Sequence, residues 1–349
     1  MYIPPYQQKK RKVTFHLIAA SFLSILIFVG SIVYISAKSE NMREECELQA
    51  QQKFNQLKEF LHDEMSAVQQ PAENFVQHLY DTHFDFTDEE SIYQSMEKLL
   101  EQNPNISGAI MAFEDWMYPQ YADKNGFGPL IRRKEDGTTE RLQVGESRDF
   151  RNQNEWYIRQ KGNPNNLWSR PFLSDDGVII VTYTIPLYDA SGKFMGGFGI
   201  DIDLTQLSQK TENYKPFPTT TVVVIDEDLS IIMHPNPEYV VRRKLPDVMK
   251  RVGMEPDSET FQNARNSDSG IVYSELGPKK IAFFYGLVPG MHWKAILYCP
   301  VSAIYKPIDE MLATSTTTCG GLFVLSVFYL VYAIISYRKY KKSMTFICD

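Results

Sequence analysis

Two long apolar runs stand at opposite ends of this chain, Val13 to Ala37 and about Leu312 to Tyr337, with a long polar stretch between them. The first run holds no Asp, Glu, Lys or Arg over more than the ~20 residues that cross ~30 Å of hydrocarbon at ~1.5 Å per residue. Lys9, Lys10, Arg11 and Lys12 precede it, and Arg338, Lys339, Lys341 and Lys342 follow the second run. Basic residues gather on the cytoplasmic side, so both termini are expected inside. The expected order is a cytoplasmic N-terminus (1–12), a membrane helix (13–37), an extracytoplasmic region (38–311), a second membrane helix (312–337) and a short cytoplasmic tail (338–349), in the plasma (inner) membrane. A cleaved signal peptide is the alternative for the first run, since Ser36-Ala37 offers small residues, but the run exceeds an apolar signal core of about 7 to 15 residues. Thr314 to Thr318 and Gly320-Gly321 dilute the second run, where a buried core helix is the alternative; its basic C-terminal flank favours the membrane.

At 43% hydrophobic and 23% charged, the chain has the composition of a folded protein. Of its 36 basic and 43 acidic residues, the eight flanking basic residues and Asp349 lie outside the central region. This leaves 28 against 42, a net charge of about −14 that makes nucleic acid an unsuitable partner. Some 274 residues from Lys38 to Met311 exceed one ordinary core of about 100 to 150, so two modules are expected. Only Cys46 and Cys299 lie between the apolar runs; they are either two free thiols or a disulfide in an oxidising envelope, and no metal or redox spacing occurs.

From Ser39 to about Gln69, Met42, Cys46, Ala50, Phe54, Leu57, Leu61, Met65 and Val68 recur every three or four residues. This spacing predicts an amphipathic helix of about 45 Å, continuous with the first membrane helix and unbroken before Pro71. Its apolar stripe suits pairing with a second copy of the chain, so a homodimer is expected. A second helix is predicted over Glu89 to Gln102, completing a helical stalk and cap (38–104). Short strand-like runs follow: Ser107 to Phe113, Val178 to Leu187, Lys193 to Ile202 and Thr219 to Ile225. Asp189-Ala190-Ser191-Gly192 makes the middle two an antiparallel hairpin. Leu204 to Lys210 reads as a short helix and Tyr214 to Pro218 as a linker. Past it come Leu229 to Met233, a helix near Leu245 to Val252, and three strands joined by Gly277-Pro278 and Pro289-Gly290. A last helix from Val301 leads back to the membrane, bent by Pro307.

The fold class is thus α+β: a long N-terminal helix and two tandem antiparallel-sheet modules (105–212 and 219–300) between two membrane helices. Four strings give this order a family likeness: Glu155-Trp156-Tyr157; Trp168-Ser169-Arg170-Pro171-Phe172; Thr184 to Asp189 with Ser191-Gly192-Lys193; and Gly199 to Leu204. Val224-Ile225-Asp226 through His234-Pro235, and His292-Trp293-Lys294 through Pro300-Val301, extend it. In these strings the chain resembles the double Cache sensor family, PAS-like extracytoplasmic domains of bacterial signal-transduction receptors. The resemblance implies ligand binding in the membrane-distal module and an output through a kinase, phosphatase or chemoreceptor domain. About a dozen residues follow Tyr337, so the output is expected from a separate protein or a part of the receptor outside this chain.

The family's amino-acid-binding members share a pocket set that this chain matches in part. Trp156 and Tyr157 match its Trp-Tyr pair, and Asp201 its closing carboxylate. Asn154 stands where the motif has an Arg that clamps a carboxylate, Phe172 where it has Tyr, and Ser174 where it has an acid for the amine. Without that charge pattern, the expected ligand is a small molecule other than a standard amino acid. The candidate ligand-binding residues are Asn154, Trp156, Tyr157, Trp168, Phe172 and Asp201, aromatic walls with a few polar groups; filling of the module core is the alternative for the aromatics. Asp201 shares a strand face with Gly199 and Asp203, where a cation site or a solvated strand end is the alternative. Gly196-Gly197-Phe198-Gly199 lies inside a strand-like run, so close packing explains it better than a phosphate loop. His78 and His83 miss the i, i+4 spacing of paired zinc ligands. No Gly-x-Ser-x-Gly, His-Glu-x-x-His or Cys-His-Asp grouping is present, and neither a catalytic role, a cofactor nor a metal is expected. The expected function is a membrane-anchored sensor of an external small molecule; the alternative is an anchored envelope binding or scaffold protein without transmembrane signalling.

Overall fold

The computed structural model describes residues 5–134, 136–251, 253–255 and 259–348. They fall into two compact units, one of residues 1–50 with 302–349 and one of residues 51–301.

The first unit is helical. Helix α1 runs from Pro5 to Asp81, so its N-terminal part lies in this unit and its remainder in the other. Phe22, Ile25, Val33 and Tyr34 on the outgoing helix, and Leu322, Leu325, Phe328 and Tyr332 on the returning one, are exposed, where a water-soluble fold would cover them. Phe28 and Phe323 set the two helices side by side, ring centres 5.8 Å apart. Both helices are long and apolar enough to cross a membrane, and their most apolar windows bury nothing.

In the second unit α1 continues to Asp81 through Pro71, past the end predicted near Gln69. Pro71 removes one backbone donor, but Ala72, Val76 and Leu79 carry the buried stripe onward and hold the helix together. Phe54, Leu57, Leu61 and Met65 are fully buried, with Phe54 against Phe284 of a later strand. The stripe that suggested self-pairing is therefore consumed within the chain over this stretch, and the face left open is mostly Glu, Gln and Lys. Helix α2 (Glu89–Gln102) starts at Asp88, whose carboxylate accepts from the Glu90 and Ser91 N–H groups.

A seven-stranded antiparallel sheet follows. Its strands are β1 (Gly108–Phe113), β2 (Pro129–Arg133), β3 (Thr139–Gln143), then, after short helices α3 (Phe150–Gln153) and α4 (Glu155–Lys161), β4 (Leu167–Trp168), β5 (Phe172–Leu173), β6 (Ile179–Tyr188) and β7 (Phe194–Asp203). The order is β3-β2-β1-β7-β6-β4, with β5 also on β6. β6 and β7 form the predicted hairpin, turning at Asp189–Gly192, where Gly192 takes φ +84°. The glycines of β7 are there for packing: a Cβ on Gly196 would meet the Ala112 carbonyl oxygen at 2.1 Å. β2 and β3 escaped the sequence reading because Arg132, Arg133, Glu140 and Arg141 break the apolar pattern of an edge hairpin.

Helix α5 (Leu204–Lys210) leads to a five-stranded sheet. Its strands are β8 (Thr221–Ile225), β9 (Ile231–Met233) and, after helices α6 (Pro237–Arg242), α7 (Leu245–Arg251) and α8 (Glu259–Asn266), β10 (Ser269–Leu276), β11 (Lys279–Leu287) and β12 (Lys294–Pro300), in the order β10-β11-β12-β8-β9. Gly277 and Gly290 take positive φ at the two meander turns. The return helix is split at Tyr305, ahead of Pro307, into α9 (Val301–Ile304) and α10 (Lys306–Cys348). Cys46 and Cys299 are free, buried thiols.

Candidate functional site

The seven-stranded sheet borders a cavity of about 980 Å³, within the range of small-molecule sites. Asn154, Trp156, Phe172 and Asp201 line it, brought together from α4, β5 and β7. Asn154 is the N-cap of α4; its carbonyl accepts from the Tyr157 and Ile158 N–H groups and its side chain makes no capping bond. Trp156 lies in a core cluster with Ile110, Val144, Phe150 and Tyr157, and Phe172 packs on that cluster from the sheet edge.

Asp201 is the most constrained polar group of the cavity. It sits on β7 between Gly108 of β1 and Thr182 of β6 and is only 9% exposed. Its Oδ1 accepts a 2.6 Å hydrogen bond from the Thr182 hydroxyl. Gly108 makes the room, since a Cβ there would meet Asp201 Oδ2 at 2.9 Å. Burial pushes the Asp201 carboxyl up to about 7; the Thr182 hydrogen bond opposes this and Asp176 adds to it. Its strand neighbour Asp203 instead caps α5, accepting from the Thr205 and Gln206 N–H groups. Among the described residues no cluster of three or more metal-ligating side chains occurs.

Two of the sequence candidates are placed elsewhere. Tyr157 is fully buried behind the wall, in the core cluster, its ring edge-on to Phe150 and Trp156 and its hydroxyl donating to Glu114 Oε1 at 2.8 Å. Trp168 sits between the two sheets, 5.0 Å from the Tyr183 ring and 5.5 Å from the Trp293 ring. A strand of two residues at the sheet edge points it toward the second module instead of the cavity.

Sequence reasoning missed the cavity's cations. Arg132 of β2 pairs with Glu140 and, at 3.2 Å, with Asp176, while Arg148 pairs with Asp175. Ser174, the residue in the place of an acid, donates to Asp176, so carboxylates one and two residues further on reach the region that position 174 was expected to serve. Asp176 is held below the usual carboxylate range: burial raises it, but the Ser174 hydrogen bond and Arg132 outweigh that. The only advance sign was the basic-acidic alternation of the β2–β3 hairpin, which reads equally well as a solvated edge.

A long helix carrying two tandem antiparallel modules, the first bordering an open, partly polar cavity, is the architecture of the double Cache fold. Residues 92–209 match the family model described as "Methyl-accepting chemotaxis protein-like, first PDC sensor domain". Solved structures agree in fold. An extracellular domain described as that of a histidine kinase, soHK1S-Z6, aligns with a TM-score of 0.58 at 17% identity over 75% of this chain and 98% of its own. The ligand-binding domain of Mlp24 with asparagine gives 0.53 at 19% identity, over 77% of this chain and 99% of its own. That of the Campylobacter jejuni chemoreceptor Tlp3 with 4-methylisoleucine gives 0.53 at 15%, over 76% and 95%. No curated protein sequence matches the chain.

Proposed function

We propose that this protein is a membrane-anchored sensor whose first module binds a small external molecule and passes the event along α1 toward the bilayer. The observation that carries the reading is the cavity of about 980 Å³ with a buried carboxyl, Asp201, on its wall, inside the segment that matches the sensor model. The anchoring rests on two exposed apolar helices and on the basic residues outside them, which favour cytoplasmic termini and an extracytoplasmic sensor. A homodimer would pair through the open face of α1.

The lining narrows the ligand. Three arginines line the cavity: Arg132 pairs with Glu140 and Asp176, Arg148 with Asp175, and Arg133 donates to the Ile106, Leu100 and Asn103 carbonyls, while position 154 offers an amide. Among the described residues a ligand carboxylate would have to compete with an acceptor that each arginine already holds, whereas Asp201 favours a cationic or hydrogen-donating group. The ligand class is a small amine or polyol-like donor without a carboxylate, seated on Trp156 and Phe172. Mlp24 and Tlp3 were solved with asparagine and 4-methylisoleucine, both amino acids, whereas Asn154 stands here in place of the clamp arginine of the amino-acid-binding motif. Binding moves the sensor only by the difference in affinity between its two states.

A thermal-shift screen of the full chain in detergent tests the proposal. Amines and neutral donors are expected to raise the melting midpoint, and Asp201→Ala to abolish the rise. A strong response to standard amino acids would refute the ligand class, and no response from a broad metabolite set would refute the site.

A further inference from the structure

The five-stranded sheet has two unlike faces. Toward one side Val222, Val224, Ala282, Phe284, Ala295 and Leu297 are closely buried, Phe284 against Phe54 of α1. The alternate residues of the same strands, Val223, Ile225, Ile281, Phe283, Ile296 and Tyr298, line a second cavity of about 790 Å³. Leu245, Val248 and Met249 of α7 line it as well. Strands alternate their side chains between faces, and the outer face of an antiparallel sheet is ordinarily polar where it meets water, whereas this one is apolar. Here Phe283, Ile296 and Tyr298, at the sheet centre, stay partly exposed to the cavity, with the Phe283 and Tyr298 rings 5.5 Å apart. A large apolar space backed by such residues has the size and character of a small-molecule site.

Several of the polar groups around it already have partners, which leaves the apolar wall to select the occupant. Lys294 donates to the Arg265 and Ser267 carbonyls, His292 pairs with Glu227, and the Asp226 carboxylate accepts from the Asp228 and Ser230 N–H groups. His234 also lines the cavity. Its Nδ1 accepts the Asn236 N–H at 2.8 Å, which puts the ring proton on Nε2, and burial holds the imidazole below its usual range and hence neutral.

We propose that residues 219–300 form a second binding site, for a neutral, mainly apolar aromatic or alicyclic compound stacked on Phe283, Ile296 and Tyr298 with one hydrogen-bond acceptor for His234. The site is independent of the first cavity, and so of the reading of Asp201. It gives the chain a second input, carried by a module outside the segment matched by the sensor model.

The test measures melting of the full chain in detergent with indole, toluene, cyclohexanol and cyclohexanone. At least one is expected to raise the midpoint by about 3–5 °C at ten times its Kd. The rise should vanish in the cavity-filling variants Ile296→Phe and Ser274→Phe and persist in Asp201→Asn. Two fillings at different strands guard against one misfolding, since a variant that melts at or above the unliganded wild type is folded. The proposal is overturned if none of the four probes raises the midpoint. It is equally overturned if the rise survives in both folded filling variants, or if it is lost in Asp201→Asn, which would assign the binding to the first cavity.

Discussion

Replacing Asp201 by Asn isolates the cost of placing a carboxyl in the wall of the first cavity. Its proton affinity in the folded chain corresponds to a pKa of about 7, against about 3.9 for a solvated aspartate. At about 1.4 kcal/mol per tenfold change, the gap amounts to about 4 kcal/mol. The folded-state value is raised, so the favourable contribution is complete below the unfolded pKa, near 4, and is lost as pH rises through 7. About 2–3 kcal/mol of the loss falls between pH 5 and pH 8. Asn carries no charge, so Asp201→Asn escapes this loss while retaining an oxygen for the Thr182 hydroxyl. The variant is therefore expected to match or fall slightly below the wild type at pH 5 and to exceed it at pH 8. Urea unfolding followed by tryptophan fluorescence suits the measurement, because all four tryptophans lie within residues 51–301. Taking the difference between the two proteins cancels every other titrating group that the substitution leaves undisturbed. A difference that stays flat from pH 5 to pH 8 would mean that Asp201 is ionised throughout, and the burial argument would fail.

Gly108→Ala forces a Cβ onto Asp201 Oδ2 and should cost about 1–3 kcal/mol; the cost should shrink in the Gly108→Ala/Asp201→Ala double variant, measured by the same unfolding curves. Tyr157→Phe removes the hydrogen bond to Glu114, which keeps its ion pair with Lys161. It should lower stability by about 1 kcal/mol and leave ligand-induced melting shifts unchanged, since Tyr157 does not touch the cavity. Leu61→Ala empties a fully buried position on α1 and should cost about 2–5 kcal/mol, read by chemical denaturation.

Elements with a strong period were legible from residues alone. The α1 stripe, α2, α5 and the β6–β7 hairpin each repeat a buried position often enough to outweigh local noise. Asp201 was singled out by the family motif and by the strand face it shares with Gly199 and Asp203, and the structure places it on the cavity wall. The β2–β3 hairpin was not legible, because its partly exposed charges follow no hydrophobic pattern. That omission matters more for the site than for the fold. Reading Asn154 and Ser174 as replacements implied a cavity stripped of charge, yet Arg132, Arg148, Asp175 and Asp176 bring charge back from other positions. What has changed is the availability of the charges. A motif arginine held for a ligand leaves an unfilled hydrogen-bonding fork, whereas Arg132 divides its guanidinium between Glu140 and Asp176. A carboxylate ligand would have to displace one of those partners and leave its charge uncompensated in a half-buried place. The proposal of a ligand other than a standard amino acid thus draws on the engaged arginines as well as on the missing one. A linear motif records which residue occupies a position, while selectivity depends on whether its hydrogen-bonding capacity is already taken.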